Sequence, residues 1–216
     1  MKKLTLTLIA LAAAVTAFAQ FPSGLSIGAG YGSTTKIMKM KEMKIDDSEN
    51  LNSFFAGAEY NFAIGTSGLG IAPGIYFQYS KGDFLGEMLG GGEDIDWKES
   101  SLLVPVKVNY SIPVADILKI VPYLGPTLEY NISSKVSNEK ETEDLYDLED
   151  DGGKYKHLQL YLGGGVAFDI ADIVRVSIGY EYGLLNRLSI DIFDENDADY
   201  SFKETGRLSV GVAYLF

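Results

Sequence analysis

Read back from its C-terminus, the chain alternates. Leu208, Val210, Val212, Tyr214 and Phe216 share one face, and Arg207, Ser209, Gly211, Ala213 and Leu215 share the other. Val174, Val176, Ile178, Tyr180 and Tyr182 oppose Arg175, Ser177, Gly179, Glu181 and Gly183 in the same way. A period of two marks a β-strand with unlike faces. The pattern predicts strands at 24–37, 51–64, 69–81, 97–112, 120–136, 154–169, 174–188 and 200–216, and no helix longer than about a turn. The connections alternate in length. Residues 65–68, 113–119 and 171–173 are short, whereas 38–50, 82–96, 137–153 and 189–199 are long and rich in acids. Eight strands with short turns at one end and long polar loops at the other predict an all-β fold. It is an eight-stranded antiparallel up-and-down barrel whose ends face different compartments.

The charges within the strands decide which face is inside. Glu59, Lys107, Glu129, Arg175, Glu181 and Arg207 all lie opposite the Leu/Val/Tyr set. Asn61, Tyr76, Gln78, Asn109, Tyr123, Gln159 and Tyr161 share their face, as do Gly28, Gly57, Gly125, Gly165 and Gly179. Small and polar side chains suit a narrow interior, so the large apolar face is turned outward, toward lipid; a soluble barrel would have the opposite order. Aromatics fall into two bands on the outward face. Tyr60, Phe62, Tyr110, Phe168, Tyr214 and Phe216 lie toward the short turns, and Phe54, Phe77, Tyr79, Trp97 and Tyr130 toward the long loops. Such bands match the interfacial girdles of a transmembrane β-barrel. Pro73, Pro105 and Pro126 fall inside strands, where a missing N–H calls for a bulge or a local break.

Composition narrows the function. Of 216 residues, 18 are basic and 30 acidic. Lys2 and Lys3, the apolar stretch Leu4–Phe18 and the small-residue site Ala17-Phe18-Ala19 form a signal-peptide pattern over residues 1–19. The barrel domain is then 20–216, carrying 16 basic against 30 acidic side chains, a net charge of −14. That balance argues against nucleic acid as a partner. The absence of cysteine removes disulfides, thiolate chemistry and a lipoprotein anchor, and a single histidine, His157, removes a multi-histidine zinc site.

Four stretches carry a resemblance: Leu102-Leu103-Val104-Pro105-Val106-Lys107-Val108, Pro122-Tyr123-Leu124-Gly125-Pro126, Tyr180-Glu181-Tyr182-Gly183-Leu184-Leu185-Asn186 and the final Leu208–Phe216. The chain resembles the small outer-membrane barrel proteins of the Bacteroidetes type, the PorT-like porin or outer-membrane β-barrel domain group. The resemblance implies residence in the cell outer membrane. It also implies that Tyr214 and Phe216 form the terminal signal read by the outer-membrane assembly machinery. Its motifs are specific for the family and not for an activity.

Candidate chemistry is sparse. His157 sits by parity on the inward face near the long-loop end, with no serine that the sequence places beside it, so a structural rim histidine is the simpler reading. Asp147, Glu149 and Asp151, followed by Gly152, partly imitate an EF-hand loop, but Leu158 stands where the twelfth-position Glu belongs. A solvated acidic loop competes with weak divalent-cation binding there, and Asp191, Asp194, Glu195, Asp197 and Asp199 form a second acidic cluster. The basic-apolar stretch 36–44 is a candidate contact for anionic lipid headgroups, or equally a simple extended hairpin; outer-membrane lipid and lipopolysaccharide are the expected partners. No cofactor is expected, and the surface-loop partner is not legible. The six inward charges predict a paired network in a lumen filled by side chains. Lys107 is expected to meet Glu129 and Arg207 to meet Glu181, leaving Glu59 and Arg175 to pair only across the lumen. Three roles follow: a non-enzymatic structural or surface-interaction barrel, acting as a monomer; a narrow channel for small solutes or ions; and a lipid-modifying enzyme.

The protein is expected to fractionate with the outer membrane and to migrate anomalously on unheated gels, because closed barrels resist detergent denaturation. Recovery in the soluble periplasmic fraction without detergent would contradict the outward apolar face.

Overall fold

The computed structural model describes residues 24–40, 45–83, 96–137, 142–144, 146, 153–185, 188–190 and 200–216. The signal-peptide reading of residues 1–19 lies outside them. Eight long strands make the barrel wall: β1 (Leu25–Met40), β2 (Ile45–Tyr60), β3 (Leu69–Asp83), β4 (Asp96–Tyr110), β5 (Leu118–Ser137), β6 (Leu158–Ile170), β7 (Val174–Gly183) and β8 (Tyr200–Leu215). Each pairs antiparallel with its neighbour in sequence, and β8 pairs with β1 from Ser26↔Leu215 to Met40↔Tyr200, which closes the ring. At the short-turn end the Phe216 N–H donates to the Leu25 carbonyl at 2.9 Å, extending the seam to the last residue.

The short connections are tight. Ala171 and Asp172 both have positive φ, 53° and 56°, and the Ile173 N–H donates to the Ile170 carbonyl at 3.0 Å. Two left-handed central residues make the mirror-image turn whose twist suits a hairpin. Phe62–Ile64 and Ile112–Ala115 continue β2 and β4 past breaks at Asn61 and Ser111.

The long-loop end differs from expectation. The β1–β2 ladder runs out to Met40↔Ile45, so much of the expected 38–50 loop is strand. Thr142–Asp144 folds back onto the end of β5, and Gly153–Tyr155 pairs with Leu188–Ile190 above the β6–β7 hairpin. A hairpin standing in water satisfies its own backbone groups and needs no apolar alternation, so the pattern that marks membrane strands does not mark these extensions.

Pro73, Pro105 and Pro126 leave gaps without shifting the register. The β3–β4 ladder runs to Pro73↔Val106 and resumes at Tyr76↔Leu103, and the β4–β5 ladder stops at Pro105↔Thr127 and resumes at Val108↔Leu124. Pro126 falls in that second gap while remaining paired with Leu162 on its other side. Register shifts lie between Ser100 and Ser101 opposite β5, between Thr35 and Lys36 opposite β8, and between Pro113 and Ala115 where the continuation of β4 turns into β5.

Alternation separates the faces as the sequence requires. Gln78, Asn109, Gln159 and Tyr161 are buried in the lumen, whereas Phe54, Ile75, Leu124, Leu162 and Val212 are exposed on the outside. Trp97 is the exception to the expected banding. It is 1 % exposed, and its indole N–H donates to Ser134 Oγ at 2.9 Å. Trp97 shares odd parity with the inward Glu99, Ser101, Leu103 and Lys107 on β4, so it enters the mouth of the lumen, where its N–H finds an acceptor. Gly165 and Gly179 make room inside for Tyr123, because a Cβ added at either would lie 2.6 or 2.5 Å from the Tyr123 hydroxyl.

Depth also becomes explicit. Val176, which reads as mid-strand in the sequence, sits directly opposite the girdle residue Phe168. Ile178 lies between Val166 and Val210, among aliphatic side chains. Ile178→Arg should therefore cost about 2–4 kcal/mol and Val176→Arg less, nearer about 1 kcal/mol. Urea unfolding of the refolded barrel in lipid bilayers measures both, and the reverse order would place the midplane at Val176.

Candidate functional site

The lumen collects the charged residues that strand alternation turns inward, and the barrel tilt decides which of them meet. Arg207 of β8 is 3 % exposed. Its Nε donates to Glu181 Oε2 at 2.8 Å, Nη2 makes a further bond to the same oxygen, and Nη1 donates to Glu129 Oε2 at 3.0 Å. The guanidinium carbon stands 4.2 Å from the centroid of the fully buried Tyr161 ring. The Thr127 hydroxyl donates to the other Glu181 oxygen at 2.5 Å. One guanidinium thus joins β8 to β7 beside it and to β5 beyond Tyr161 of β6. Its planar fork serves two carboxylates at once, which a lysine ammonium could not do in the same geometry.

The other inward charges pair differently from the sequence expectation. Lys107 forms an ion pair with Glu59, not with Glu129, and its ammonium lies 5.0 Å from the Tyr123 centroid and 5.9 Å from that of Tyr76. Arg175 does not reach across to Glu59. It makes a two-pronged contact with Asp169, Nε to Oδ1 at 2.6 Å and Nη2 to Oδ2 at 2.8 Å. Asp169 is a buried inward acid that the sequence reading passed over. A local signal exists for it: Asp169 and Arg175 are direct partners across the three-residue turn 171–173.

Nearer the mouth, the Ser134 hydroxyl receives the Trp97 indole N–H and donates to buried Glu99 at 2.9 Å. Gln159 ties the rim to Leu185, donating to its carbonyl at 3.1 Å and accepting from its N–H at 3.1 Å. Between the charge clusters lies a cavity of about 100 Å³, bordered by Phe55, Tyr76, Lys107, Tyr123, Arg175 and Glu181. A space of that size is large enough for several waters, so side chains do not completely fill the lumen. Gln78 borders the cavity as well, and its buried Oε1 has no protein hydrogen-bond partner among the described residues.

His157 is turned away from this network. Its ring stacks on Tyr146 at 3.7 Å and on the outward Tyr130 at 5.4 Å. Its Nδ1 lies 2.8 Å from the Asn131 backbone carbonyl, an acceptor only, so Nδ1 carries the proton and donates. Parity fails here because His157 precedes β6 rather than lying within it. At the opposite end Tyr214 and Phe216 meet edge to face, 4.7 Å apart. Asp147, Glu149 and Asp151 lie outside the described residues, as does the 191–199 cluster. The side chains of 36–44 are likewise not described. Among the described residues no group of three or more potential ligands is placed to hold a metal ion.

A family model for the outer membrane protein beta-barrel domain matches residues 4–216. Among solved structures, the chain is similar to Ail, the attachment invasion locus protein of Yersinia pestis, at 18 % identity and a TM-score of 0.46, over 90 % of this chain and all of that one. It is similar to Neisserial surface protein A at 17 % identity and a TM-score of 0.47, over 90 % of this chain and 98 % of that one. A third likeness is to the outer membrane enzyme PagL, at 11 % identity and a TM-score of 0.39, over 85 % of this chain and 97 % of that one. Among curated proteins none matches the chain.

Removing Arg207 leaves two carboxylates facing each other in a confined space. Arg207→Ala should destabilise the barrel by about 3–5 kcal/mol, the range for breaking a buried ion pair. Adding Glu129→Gln and Glu181→Gln should recover a large part of that loss. Urea midpoints in bilayers measure both, and an additive triple variant would show that the three residues are not coupled.

Proposed function

The chain belongs to the outer membrane protein β-barrel domain family and resides in the outer membrane, and from that premise we propose a non-enzymatic barrel that conducts no steady current and acts through its surface. The observation that carries this reading is the Arg207 cluster. A guanidinium held by Glu129 and Glu181 and stacked on Tyr161 occupies the middle of an interior that eight strands make barely wider than its side chains. Moving it aside would expose buried charges, which costs several kcal/mol per ion. Trp97, Ser134 and Glu99 support the same reading nearer the mouth.

The non-enzymatic part of the proposal is supported by His157. A histidine acting as a base toward a serine is oriented by a carboxylate or carboxamide, whereas this one donates to a backbone carbonyl and stacks between rim tyrosines. The edge-to-face pair of Tyr214 and Phe216 suits a terminal signal for the assembly machinery. The finer likeness to PorT-like proteins rests on the four stretches quoted above. A closed ring with no free strand edge suits a monomer. A narrow channel is the competing role, and the cavity of about 100 Å³ is the observation that favours it.

Planar-bilayer recording of the refolded mature protein separates the two roles. The wild type should show no steady conductance, and Arg207→Ala should show step openings as water enters beside the two carboxylates. A large, stable wild-type conductance would make the channel primary.

A further inference from the structure

The outward face at the long-loop end carries a row of lysines that neither the lumen nor the lipid belt requires. Lys81 of β3 lies directly opposite Lys98 of β4, and Lys98 directly opposite Lys135 of β5. Lys156, just before β6, is exposed as well. Directly opposed residues on neighbouring strands hold their Cβ atoms about 4.5–5.5 Å apart, and like charges there oppose pairing. The row works against the sheet unless an anion sits on it.

The protein neutralises it only in part. Asp96 receives Lys81 at 3.0 Å and Lys98 at 3.4 Å. The hydrogen bond from Lys81 holds the Asp96 carboxyl below the usual carboxylate range, so it stays ionised. Asp83 is the register partner of Asp96, one row nearer the loops, and Asp144 is the register partner of Lys135. Lys135 and Lys156 have no ion pair among the described residues.

Depth decides what the row meets. Below Lys81 on the same face come the exposed rings of Tyr79 and Phe77, and below Lys135 come Ile132 and Tyr130. Those rings mark the outer girdle, level with the headgroups. The row is one-sided: Asn52 of β2 stands opposite Lys81, and Ser33 of β1 stands opposite Asn52. A clustered positive row on a chain of net charge −12 stands out from its surroundings. Lysine stems lie along apolar surface and lift their ammonium groups into the headgroup layer.

We propose that Lys81, Lys98 and Lys135 form a binding site for the phosphate-bearing headgroup of a lipid in the outer leaflet. Phosphate oxygens accept hydrogen bonds from several ammonium groups at once, and the three lysines supply a row of such donors. The acyl chains of the lipid lie along Phe77, Tyr79, Ile132 and Tyr130, which keeps the headgroup at this depth and favours a lipid over a free anion. The proposal goes beyond the blocked-lumen reading and uses only the orientation of the barrel in the membrane.

The test reads lipid retained by the intact barrel. Wild type is refolded in phosphatidylcholine nanodiscs doped with bis-phosphorylated lipid A, exchanged into detergent and weighed by native mass spectrometry. It should keep the phosphorylated lipid and shed the dephosphorylated form, and raising salt to about 0.5 M should release what is bound. Joint replacement Lys81→Gln, Lys98→Gln and Lys135→Gln should lower retention at least about tenfold, whereas the same three positions as Arg should keep it. Equal retention of dephosphorylated lipid, insensitivity to salt, or undiminished retention by the folded Gln variant overturns the proposal. Displacement by millimolar inorganic phosphate also overturns it, assigning the row to a free anion. If the Gln variant does not fold on a heat-modifiability gel, the wild-type lipid and salt comparisons decide alone. Retention is read without conductance, so this proposal and the blocked lumen fail separately.

Discussion

Hydrocarbon offers no hydrogen bonds, so a sheet that crosses a membrane must leave no edge. The pairing of β8 with β1 removes the last one, over fifteen register partners from Ser26↔Leu215 to Met40↔Tyr200. Everything else in the molecule answers to that closure. It requires the short turns at one end, including the left-handed pair Ala171-Asp172. It also explains why prolines inside the wall are tolerated only as gaps: the ladder at Pro73 and Pro105 breaks, then resumes in the same register, so the ring still closes.

Closing only eight strands fixes a narrow interior, and that interior is where the chemistry becomes demanding. Charged side chains inside cannot be solvated by bulk water, so each needs a partner. The molecule meets this with guanidinium forks, Arg207 on Glu129 and Glu181 and Arg175 on Asp169, and with the Lys107–Glu59 pair among tyrosine rings. These contacts also tie strands together across the lumen, as Arg207 does between β8 and β5. A small cavity remains between the clusters.

The outside obeys a different solvent. Aliphatic rows such as Val166, Ile178 and Val210 face lipid, aromatic rings bracket them, and charge reappears only past the rings. Lys81, Lys98 and Lys135 line up at that boundary. Inside and outside share the same strands, and alternation lets one backbone serve both.

Alternation is a local property, and so the sequence alone determined the strand count, the inward set Glu59, Lys107, Glu129, Arg175, Glu181 and Arg207, and the outward apolar belt. It also contained the direction of Trp97, whose odd position on β4 matches Glu99 and Lys107, although an aromatic at a strand end resembles a girdle residue. Partners were another matter. The expected neighbour of Lys107 was Glu129 on the adjacent strand, yet Lys107 meets Glu59 two strands away, and Glu129 meets Arg207 instead. Strand tilt and the register shifts near Ser100 and Thr35 set the depth of each side chain, and depth is a property of the closed ring rather than of any one strand. For the same reason only the structure aligned Lys81, Lys98 and Lys135: their spacing along the chain says nothing of a row that exists only when three strands lie side by side.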